Sequence, residues 1–337
     1  MITALLIGSG SMAKSCHLPV LMGTPGVVCA GVVVRTRRCD STSEAPATFT
    51  DVHEALETTR PNLAVVATPH DCHFEQVREC LWAGCHVLVE KPLALRYEQC
   101  QELVALAENQ QQLLVVGLQR RYEGFARYAK EMVVRGELGR VTLAHGLFAH
   151  RFDASPHGWR SDSMRCGAGI VDDSGMHLLD LMVYLCGRAV SEVTGRLLST
   201  SDRHPPHSFS CFYQASNADL VAASCSYEAP ANSVQEEISI YGEAGSIFAR
   251  RFAPEWNTLP PRVVFKKADG GELAEVPIAV ERSARSLPLC ALIDVISGRA
   301  GRETILSEGK DVLETHRVAS LVRRSGRTTT NARRVSS

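Results

Sequence analysis

An aspartate and a histidine in the second half of the chain have a spacing suited to proton transfer. Asp173 and His177 are four residues apart and Asp180 follows one turn later, so a helix would bring them to one face. A carboxylate beside an imidazole orients the ring and raises its pKa, and histidine exchanges a proton near neutral pH. The spacing therefore predicts a general acid–base group. The alternative is a buried histidine that is satisfied by a carboxylate of its own helix.

The first apolar segment of the chain ends in a glycine-rich turn, Gly8–Ala13, with the pattern G-x-G-x-x-A. Glycines at 8 and 10 permit a tight turn and let a pyrophosphate approach the backbone, and the small Ala13 allows a helix to lie close to the strand. The helix N-terminus adds N–H donors and positive potential. Because this turn lies in the first strand–helix unit, it predicts dinucleotide binding rather than an ordinary strand-to-helix turn.

The residues that follow the second strand bear on the choice of cofactor. This segment reads Val34-Arg35-Thr36-Arg37-Arg38 and has no carboxylate to bind a ribose 2′-OH or to repel a 2′-phosphate. Arg35, Thr36 and Arg37 have side chains that can bind such a phosphate. A solvated basic turn is the alternative interpretation. The sequence therefore predicts NAD or NADP as the cofactor and favours NADP slightly.

A lysine follows another apolar strand, in the run Val87–Pro92. Held at a strand end, Lys91 can donate a hydrogen bond to a substrate hydroxyl and stabilise a developing alkoxide. Pro92 fixes the turn that aims it. By itself the tripeptide E-K-P fits a surface loop, but it lies one crossover after Thr68–His73, so we favour a functional role.

The elements that must position these residues change character along the chain. The first third alternates strands and helices, which is typical of a parallel sheet covered on both faces. We predict strands at 2–7, 27–34, 63–67, 86–89 and 113–116, with helices at 13–21, 74–83 and 97–109. From about residue 120 the pattern is that of a mixed or antiparallel sheet. We predict strands there at 141–149, 193–198, 208–214, 219–227, 237–241 and 262–266, and a helix near 174–185.

These patterns predict an α/β protein, with an N-terminal Rossmann domain and a C-terminal α/β domain built on a large, mostly antiparallel open sheet. We expect a dinucleotide-binding domain at 1–120, a substrate-binding and oligomerisation domain at 121–325, and a frayed polar tail at 326–337.

The composition excludes several other classes of protein. The 337 residues are 45% apolar, and 36 Lys and Arg balance 37 Asp and Glu, so no strong field favours nucleic acid or an anionic membrane. The apolar runs are shorter than the roughly 20 residues of a membrane span, and the N-terminus lacks the features of a signal peptide. Twelve cysteines without a C-x-x-C pair predict reduced core thiols in a cytoplasmic protein, and we expect no metal site.

Taken together, the motifs resemble the Gfo/Idh/MocA oxidoreductase family. The resemblance runs from residue 2 to about 325 and depends on their combination. Besides the glycine turn, the motifs are T-P-x-x-x-H at 68–73, A-G-x-H-V-L-V-E-K-P at 83–92, G-L-Q-R-R-Y at 117–122, W-R at 159–160, G-A-G at 167–169, D-x-x-x-H-x-x-D at 173–180, and a strand with a G-x-x-G turn at 237–245.

The resemblance implies reversible hydride transfer between NAD(P) and a secondary alcohol of a sugar, cyclitol or related polyol. It also implies a homodimer or homotetramer formed through the C-terminal sheet. The implied catalytic group is Lys91, Asp173 and His177. The predicted cofactor contacts are Gly8, Gly10, Ser11, Met12, Ala13, Arg35, Thr36, Thr68, Pro69, His73, Glu90, Lys91 and Gln119. The predicted substrate contacts are Lys91, Arg121, Trp159, Arg160, Asp172, Asp173 and His177.

Asp172 departs from the family pattern, which often has an apolar residue before the catalytic aspartate. If Asp172 also reaches the pocket, the site is anionic and suits an amino sugar or an aminocyclitol. The alternative is a solvated or backbone-capping carboxylate.

Two other functions are compatible with the same motifs. One is an NAD-dependent glycosidase of the same superfamily, which would show no net cofactor turnover. The other is a non-catalytic dinucleotide sensor, although a sensor does not need the proton-transfer group formed by Lys91, Asp173 and His177.

Overall fold

A computed structural model of the chain describes residues 1–35, 46–153, 155, 158–187, 189–199, 204–230, 233–253, 261–270, 273–278, 284–325 and 327–330. The chain forms two compact units. The first comprises Met1–Gln119 and Arg285–Leu313, and the second comprises Arg120–Ala284 and Glu314–Ser337.

Strands and helices alternate in the first part of the chain, and strands predominate in the second. The strands are β1 (Ile2–Ile7), β2 (Val27–Val33), β3 (Ala47–Phe49), β4 (Leu63–Val66), β5 (His86–Val89), β6 (Leu114–Val116), β7 (Val141–His150), β8 (Ser191–Ser199), β9 (Ser208–Ala215), β10 (Ala218–Ser226), β11 (Val234–Gly242), β12 (Gly245–Ala253), β13 (Arg262–Lys267), β14 (Ala274–Val276) and β15 (Arg327–Thr330). The helices are α1 (Leu18–Gly23), α2 (Val52–Thr59), α3 (His73–Trp82), α4 (Tyr97–Asn109), α5 (Gly124–Val134), α6 (Ser163–Cys166), α7 (Ser174–Cys186), α8 (Leu287–Ile296) and α9 (Gly309–Ser325).

The first unit is built on a parallel sheet of six strands in the order β3-β2-β1-β4-β5-β6. Every residue of the central strand β4 is buried, as expected for a parallel strand covered on both faces. The strand order reverses beside β1, which is where doubly wound sheets bind ligands at the carboxyl ends of their strands. This confirms the predicted Rossmann domain.

The chain returns to the first unit near its C-terminus. Leu289, Leu292 and Ile293 on α8 are buried in the same core as Leu6 and Val65 of the sheet. Burial of these side chains explains why 285–313 belongs to the first unit. The division predicted from the sequence placed this segment in the second domain, because helix periodicity does not show which sheet a helix packs against.

The second unit contains a mixed sheet of nine strands in the order β14-β13-β12-β11-β7-β10-β9-β8-β15. All neighbours are antiparallel except β7 with β10 and β8 with β15. Helix α7 packs on β7 and β10, and nearly all its residues are buried. The predicted fold class is therefore confirmed for this half as well.

The predicted frayed tail needs a correction. Arg327–Thr330 forms β15 and pairs in parallel with β8. A run of β-branched threonines suits a strand, and the edge of the sheet offers unpaired backbone groups to it. The sequence prediction missed this because the segment has no periodicity. The other residues of the predicted tail, 326 and 331–337, lie outside the described residues.

Most of the described cysteines are buried thiols. Burial raises the pKa of Cys186 to about 12 and that of Cys29 to about 11, which makes these thiols unreactive. None of the helices in the described part of the chain has the length and apolarity required to span a bilayer. Within the same residues, no group of three His, Cys, Asp or Glu side chains is placed to hold a metal ion.

Candidate active site

The two glycines of the N-terminal turn differ in their surroundings. Gly8 has a φ of +115°, and a Cβ there would lie 2.4 Å from the carbonyl oxygen of Ala67. At Gly10 a Cβ would come no closer than 4.0 Å to the nearest atom, which is again Ala67 O. The fold therefore requires glycine at 8, whereas the open side of Gly10 leaves room for a ligand to approach the backbone.

A helical segment begins directly after these glycines. Ser11 is exposed, Met12 is half-buried, and Ala13 is fully buried in the core beside Leu6. Among the described residues, no side chain caps the N-terminus of the first turn. Its backbone N–H groups are thus available to an anion, as the glycine pattern predicts.

The end of β2 is described only in part. Val34 continues from the strand and donates its N–H to Phe49 O at 2.9 Å, and Arg35 is exposed. No acidic residue stands at either position. Thr36 and Arg37, the other two predicted phosphate contacts, lie outside the described residues.

The Thr68–His73 motif follows β4 and leads into α3. Thr68 Oγ1 donates a hydrogen bond to Gln76 at 2.6 Å. His73 is completely buried, with Nδ1 2.7 Å from Pro92 O and Nε2 2.9 Å from Thr68 O. The sequence predicted His73 as a cofactor contact, but the structure places its ring in the interior, where it supports the loop after Lys91. Pro69 precedes the 3₁₀ turn of this motif, and Gln119 is half-buried where the first unit ends.

Glu90 and Lys91 follow β5. Glu90 Oε1 lies 2.8 Å from His17 Nε2, and both side chains are largely buried, with 12% and 1% exposed. Burial alone would raise the pKa of Glu90, but the hydrogen bond from His17 and the neighbouring positive charges, including Lys91, outweigh it and lower this pKa. Glu90 is therefore an ionised carboxylate inside the unit, next to the half-buried Lys91.

In the second unit, Asp173 and His177 lie at the start of α7. Asp173 precedes the helix, and its carboxylate accepts a hydrogen bond from Arg160 Nε at 2.9 Å. His177 is one turn further along and 8% exposed. The residues of α7 are almost entirely buried, so core packing fixes the helix that carries His177 and that Asp173 immediately precedes.

Arg160 is held in place by aromatic rings. Its guanidinium carbon lies 4.3 Å from the centre of the Trp159 ring and 5.6 Å from that of Phe152. Stacking fixes the plane of the guanidinium, and the ion pair with Asp173 fixes its direction. Trp159 and Arg160, both predicted from the sequence, therefore act with Asp173 as one group.

A cavity of about 410 Å³ lies beside this group, within the second unit. Its lining includes Phe152, Arg160, Asp173, His207, Tyr227 and Glu228. Tyr227 is buried, and burial together with the Asp173 charge raises its pKa well above the usual value. It is therefore a neutral phenol, able to donate a hydrogen bond at neutral pH.

Two residues that the sequence predicted as substrate contacts are instead parts of the interior. Asp172 accepts from the backbone N–H of Ala168 at 2.7 Å and binds Arg323 through both carboxylate oxygens. Arg121 is 1% exposed and forms a two-point ion pair with Asp180. Since their charges are balanced within the protein, neither defines the charge of the cavity.

Two of the cavity residues that the sequence did not predict come from strand ends. Phe152 follows β7, and Tyr227 follows β10, which is the parallel neighbour of β7. The carboxyl ends of two parallel strands meet at one edge of a sheet, so these residues lie together, and Phe152 N donates to Tyr227 O at 3.3 Å. The signal was present in the strand pattern, but the pairing of β7 with β10 was not readable from it.

Comparison with known proteins agrees with this architecture. The model of the oxidoreductase family with an NAD-binding Rossmann fold matches residues 2–118, and that of the GFO/IDH/MocA C-terminal domain matches residues 126–248. An uncharacterized oxidoreductase, C26H5.09c of Schizosaccharomyces pombe, is 32% identical over 61% of this chain and 57% of its own length. Inositol 2-dehydrogenase of Rhodococcus erythropolis is 34% identical over 42% of this chain and 39% of its own.

A solved structure shows the same fold over nearly the whole chain. KijD10, a 3-ketoreductase from Actinomadura kijaniata in complex with NADP and TDP-benzene, superposes with a TM-score of 0.80 at 21% identity, covering 97% of this chain and 98% of its own. The matched segments of the curated sequence relatives span only about two fifths to three fifths of those proteins.

A glycine turn on a Rossmann sheet, followed by a second unit built on a mixed sheet, is the architecture of a nucleotide-binding oxidoreductase. The two matching family models make the assignment specific: this chain belongs to the Gfo/Idh/MocA family. The resemblance that the motifs indicated is thereby confirmed.

Proposed function

We propose that the protein transfers a hydride reversibly between NAD(P) and a secondary alcohol of a sugar, cyclitol or amino sugar. The proposal is carried by the composition of the cavity, in which the Arg160–Asp173 ion pair lies among aromatic rings. A hydroxyl group both donates and accepts, so it matches a guanidinium beside a carboxylate, and the apolar face of a polyol ring packs on aromatic side chains. The family and the inositol 2-dehydrogenase relative support the same substrate class.

The first unit fits the dinucleotide that this reaction needs. The open side of Gly10 and the uncapped helix start suit a pyrophosphate, which Gly8, Gly10 and the segment Ser11–Ala13 would hold. When bound, NAD(P) accepts or supplies the hydride. The absence of a carboxylate at Val34 and Arg35 favours NADP over NAD.

Each catalytic side chain has an assigned task. His177 takes the proton from the substrate hydroxyl and returns it in the reverse direction. Asp173 orients the substrate or the imidazole, and Arg160 holds the Asp173 carboxylate in place. Lys91 donates a hydrogen bond to the substrate oxygen and stabilises the alkoxide as its proton leaves.

The carboxylate that would bind the amino group of an amino sugar is Glu228, and not Asp172 as the sequence indicated. The charge of Asp172 is balanced by Arg323, whereas Glu228 lines the cavity with its carboxylate 3.9 Å from His207. An ammonium group on the substrate would be attracted to Glu228. Paired substrates that differ only in an amino or a hydroxyl group test this point: Glu228→Gln should lower kcat/KM for the amino member only.

The proposal is tested with a panel of sugars, cyclitols and aminoglycosides, each with NAD and with NADP. Absorbance of the reduced nicotinamide should rise with at least one member. Product formation without net reduction would indicate a glycosidase, and cofactor binding without any turnover would indicate a sensor. Dissociation constants for both cofactors decide the preference, and a protein at least tenfold tighter for NAD would contradict the proposed preference for NADP.

We also propose a homodimer or homotetramer formed through the open face of the nine-stranded sheet, in a cytoplasmic protein. Leu143, Leu220 and Tyr241 are exposed neighbours on three adjacent strands, and Phe212 and Phe252 are exposed as well. A patch of large apolar side chains is typical of an interface. Light scattering should give a multiple of 36.7 kDa for the wild type and a smaller assembly for Leu143→Lys.

A further inference from the structure

Two buried histidines hold the residues on either side of Lys91. His17, which precedes α1, contacts the side chain of Glu90, and His73 at the start of α3 contacts the carbonyl oxygen of Pro92. His17 is 1% exposed and His73 is completely buried. All of these residues belong to the first unit. The backbone position of Lys91 is thus fixed from two separate helical segments.

The contact between His17 and Glu90 joins the glycine turn to the lysine. His17 ends the helical segment Ala13–His17, which begins directly after the turn, and Glu90 immediately precedes Lys91. The two side chains meet at 2.8 Å. This contact links the helical segment after the glycine turn to the strand end that carries Lys91.

The environment of this pair leaves it little freedom. A Cβ on Gly117 would lie only 3.1 to 3.3 Å from the carboxylate atoms of Glu90, so the missing side chain at Gly117 makes room for that carboxylate. Among the described residues, His17 Nδ1 has no hydrogen-bond partner although it is buried. Burying an imidazole with one nitrogen unsatisfied is unfavourable, and the hydrogen bond between its other nitrogen and Glu90 offsets part of that cost.

We propose that His17 and Glu90 are positioning residues for Lys91, which fix the lysine relative to the dinucleotide-binding helix. The role rests on the proposed function in one respect, because it assumes that Lys91 acts on the substrate oxygen. It concerns the placement of Lys91 and not the affinity for the cofactor. Misplacing a reacting group by about 1 Å can cost about 10²-fold in rate, so a small shift is measurable.

The test compares variants that remove the hydrogen bond with one that restores it. His17→Leu fills a similar volume without a donor and should lower kcat by about 10²-fold, while the cofactor dissociation constant changes less than about threefold. His17→Gln places an amide N–H near the position of Nε2 and should recover most of kcat. Glu90→Met removes the acceptor and should lower kcat as much as His17→Leu does. The double variant should have a kcat no lower than that of either single variant, because all three lose the same contact.

His86 provides the matched control. It begins β5, the strand that ends next to Glu90, and its Nδ1 accepts a hydrogen bond from Leu113 N at 3.0 Å. His86→Leu therefore removes a histidine hydrogen bond from the far end of the same strand. It should leave kcat within about threefold of wild type. An equal loss of kcat in His86→Leu would overturn the proposal, since the effect would then come from general weakening of the strand.

A second measurement works without a known substrate. Lysine side chains are labelled by reductive methylation with ¹³C-formaldehyde, and the Lys91 resonance is assigned from Lys91→Arg. This resonance should shift in His17→Leu and in Glu90→Met but not in His86→Leu. If the wild type turns over no panel member, the proposed function fails while the resonance still decides the positioning role. If the wild type is active and folded His17→Leu keeps both kcat and the resonance, only the positioning role is overturned.

Discussion

The two units use charged side chains in different ways. In the first unit the predicted anion site is formed by the backbone around Gly10 and by a helix start, and the ionised Glu90 is held by His17. The second unit buries several ion pairs in its interior. These are Arg121 with Asp180, Arg323 with Asp172, and the cluster of Arg120, Glu123, Glu236 and Arg251.

This difference affects how a charged residue in a motif should be interpreted. A buried charge is tolerated when a partner balances it, so these buried ion pairs of the second unit hold side chains in the core rather than contact a ligand. Arg160 and Asp173, by contrast, form an ion pair that lines the cavity, and the Arg160 side chain is 40% exposed. Charge and sequence spacing therefore do not distinguish a substrate contact from a structural ion pair, whereas burial does.

The largest expected effect tests whether each unit supplies a catalytic group. Lys91→Ala and His177→Ala should each lower kcat by ~10² to 10⁴, with cofactor binding retained, because a positioned acid–base or electrostatic group is lost. The oxidation rate of the wild type should rise with pH as the imidazolium loses its proton. Steady-state kinetics across pH, with calorimetry for the cofactor, measure both effects.

His53→Ala is the control for this pair, since His53 lies on α2 with a side chain that is 75% exposed. It should not change kcat. A His177→Ala enzyme with wild-type kcat and an unchanged pH profile would contradict the assignment of the base and would make Lys91 the next candidate.

The first unit was predictable from sequence to a large extent, for a physical reason. Its strands β1, β4, β5 and β6 are buried almost throughout and therefore appear as short apolar runs, and β1 and α4 have the predicted bounds. Gly8 is required by its backbone conformation, so its residue type alone indicated the turn. The sequence did not show that α8 returns to this core, because such packing depends on tertiary structure.

The second expected effect separates a structural arginine from an arginine at the cavity. Arg121→Met should lower the free energy of unfolding by about 3 to 5 kcal/mol, because Asp180 would remain buried without its cation. Arg160→Met should leave stability nearly unchanged, because its ion pair is partly exposed, but should raise KM or lower kcat. Urea denaturation and steady-state kinetics of both variants provide the comparison. A destabilised Arg160→Met with normal kinetics would remove Arg160 from the site.

The substrate side of the second unit was predictable only in part. Asp173 and His177 were predicted from their spacing and Arg160 from the family resemblance, and the structure places Asp173 and Arg160 together at the cavity. Phe152 and Tyr227 depend on the parallel pairing of β7 with β10, which are far apart in sequence, and local patterns do not encode such a pairing. Asp172 was predicted as a substrate contact because its partner could not be recognised. That partner, Arg323, is 151 residues away in sequence.

A third effect distinguishes the two glycines of the turn. Gly10→Val should fold with a Tm close to that of wild type but weaken cofactor binding by about tenfold or more, because its side chain would occupy the open side where a pyrophosphate fits. Gly8→Ala should lower Tm instead, because alanine is strained at a φ of +115° and meets Ala67 O. Calorimetry and thermal unfolding of both variants are required. Unchanged cofactor affinity in Gly10→Val would contradict the placement of the site.

The smallest expected effect concerns pH and two buried glutamates, one in each unit. The pKa of Glu90 is lowered, because the His17 hydrogen bond and nearby positive charges outweigh burial, whereas burial raises the pKa of Glu236 despite Arg120 and Arg251. Glu90 therefore contributes stability above its unfolded pKa near 4.5, which is lost as pH falls towards the folded value. The contribution of Glu236 to stability changes with pH in the opposite direction. The folded state binds the Glu236 proton more tightly than the unfolded state does, so this contribution decreases as pH rises from about 4.5 through the folded pKa.

Removing each charge should therefore change a different part of the stability profile. In urea unfolding, Glu90→Gln should flatten the loss of stability below pH 4.5, and Glu236→Gln should flatten the decline above it. The slope with pH is the diagnostic quantity, because each substitution also removes a hydrogen-bond or ion-pair partner and so lowers stability at every pH. If the free energy of unfolding had the same slope with pH in both variants, the two carboxylates would have the same environment. That result would contradict the proposed difference between the two units.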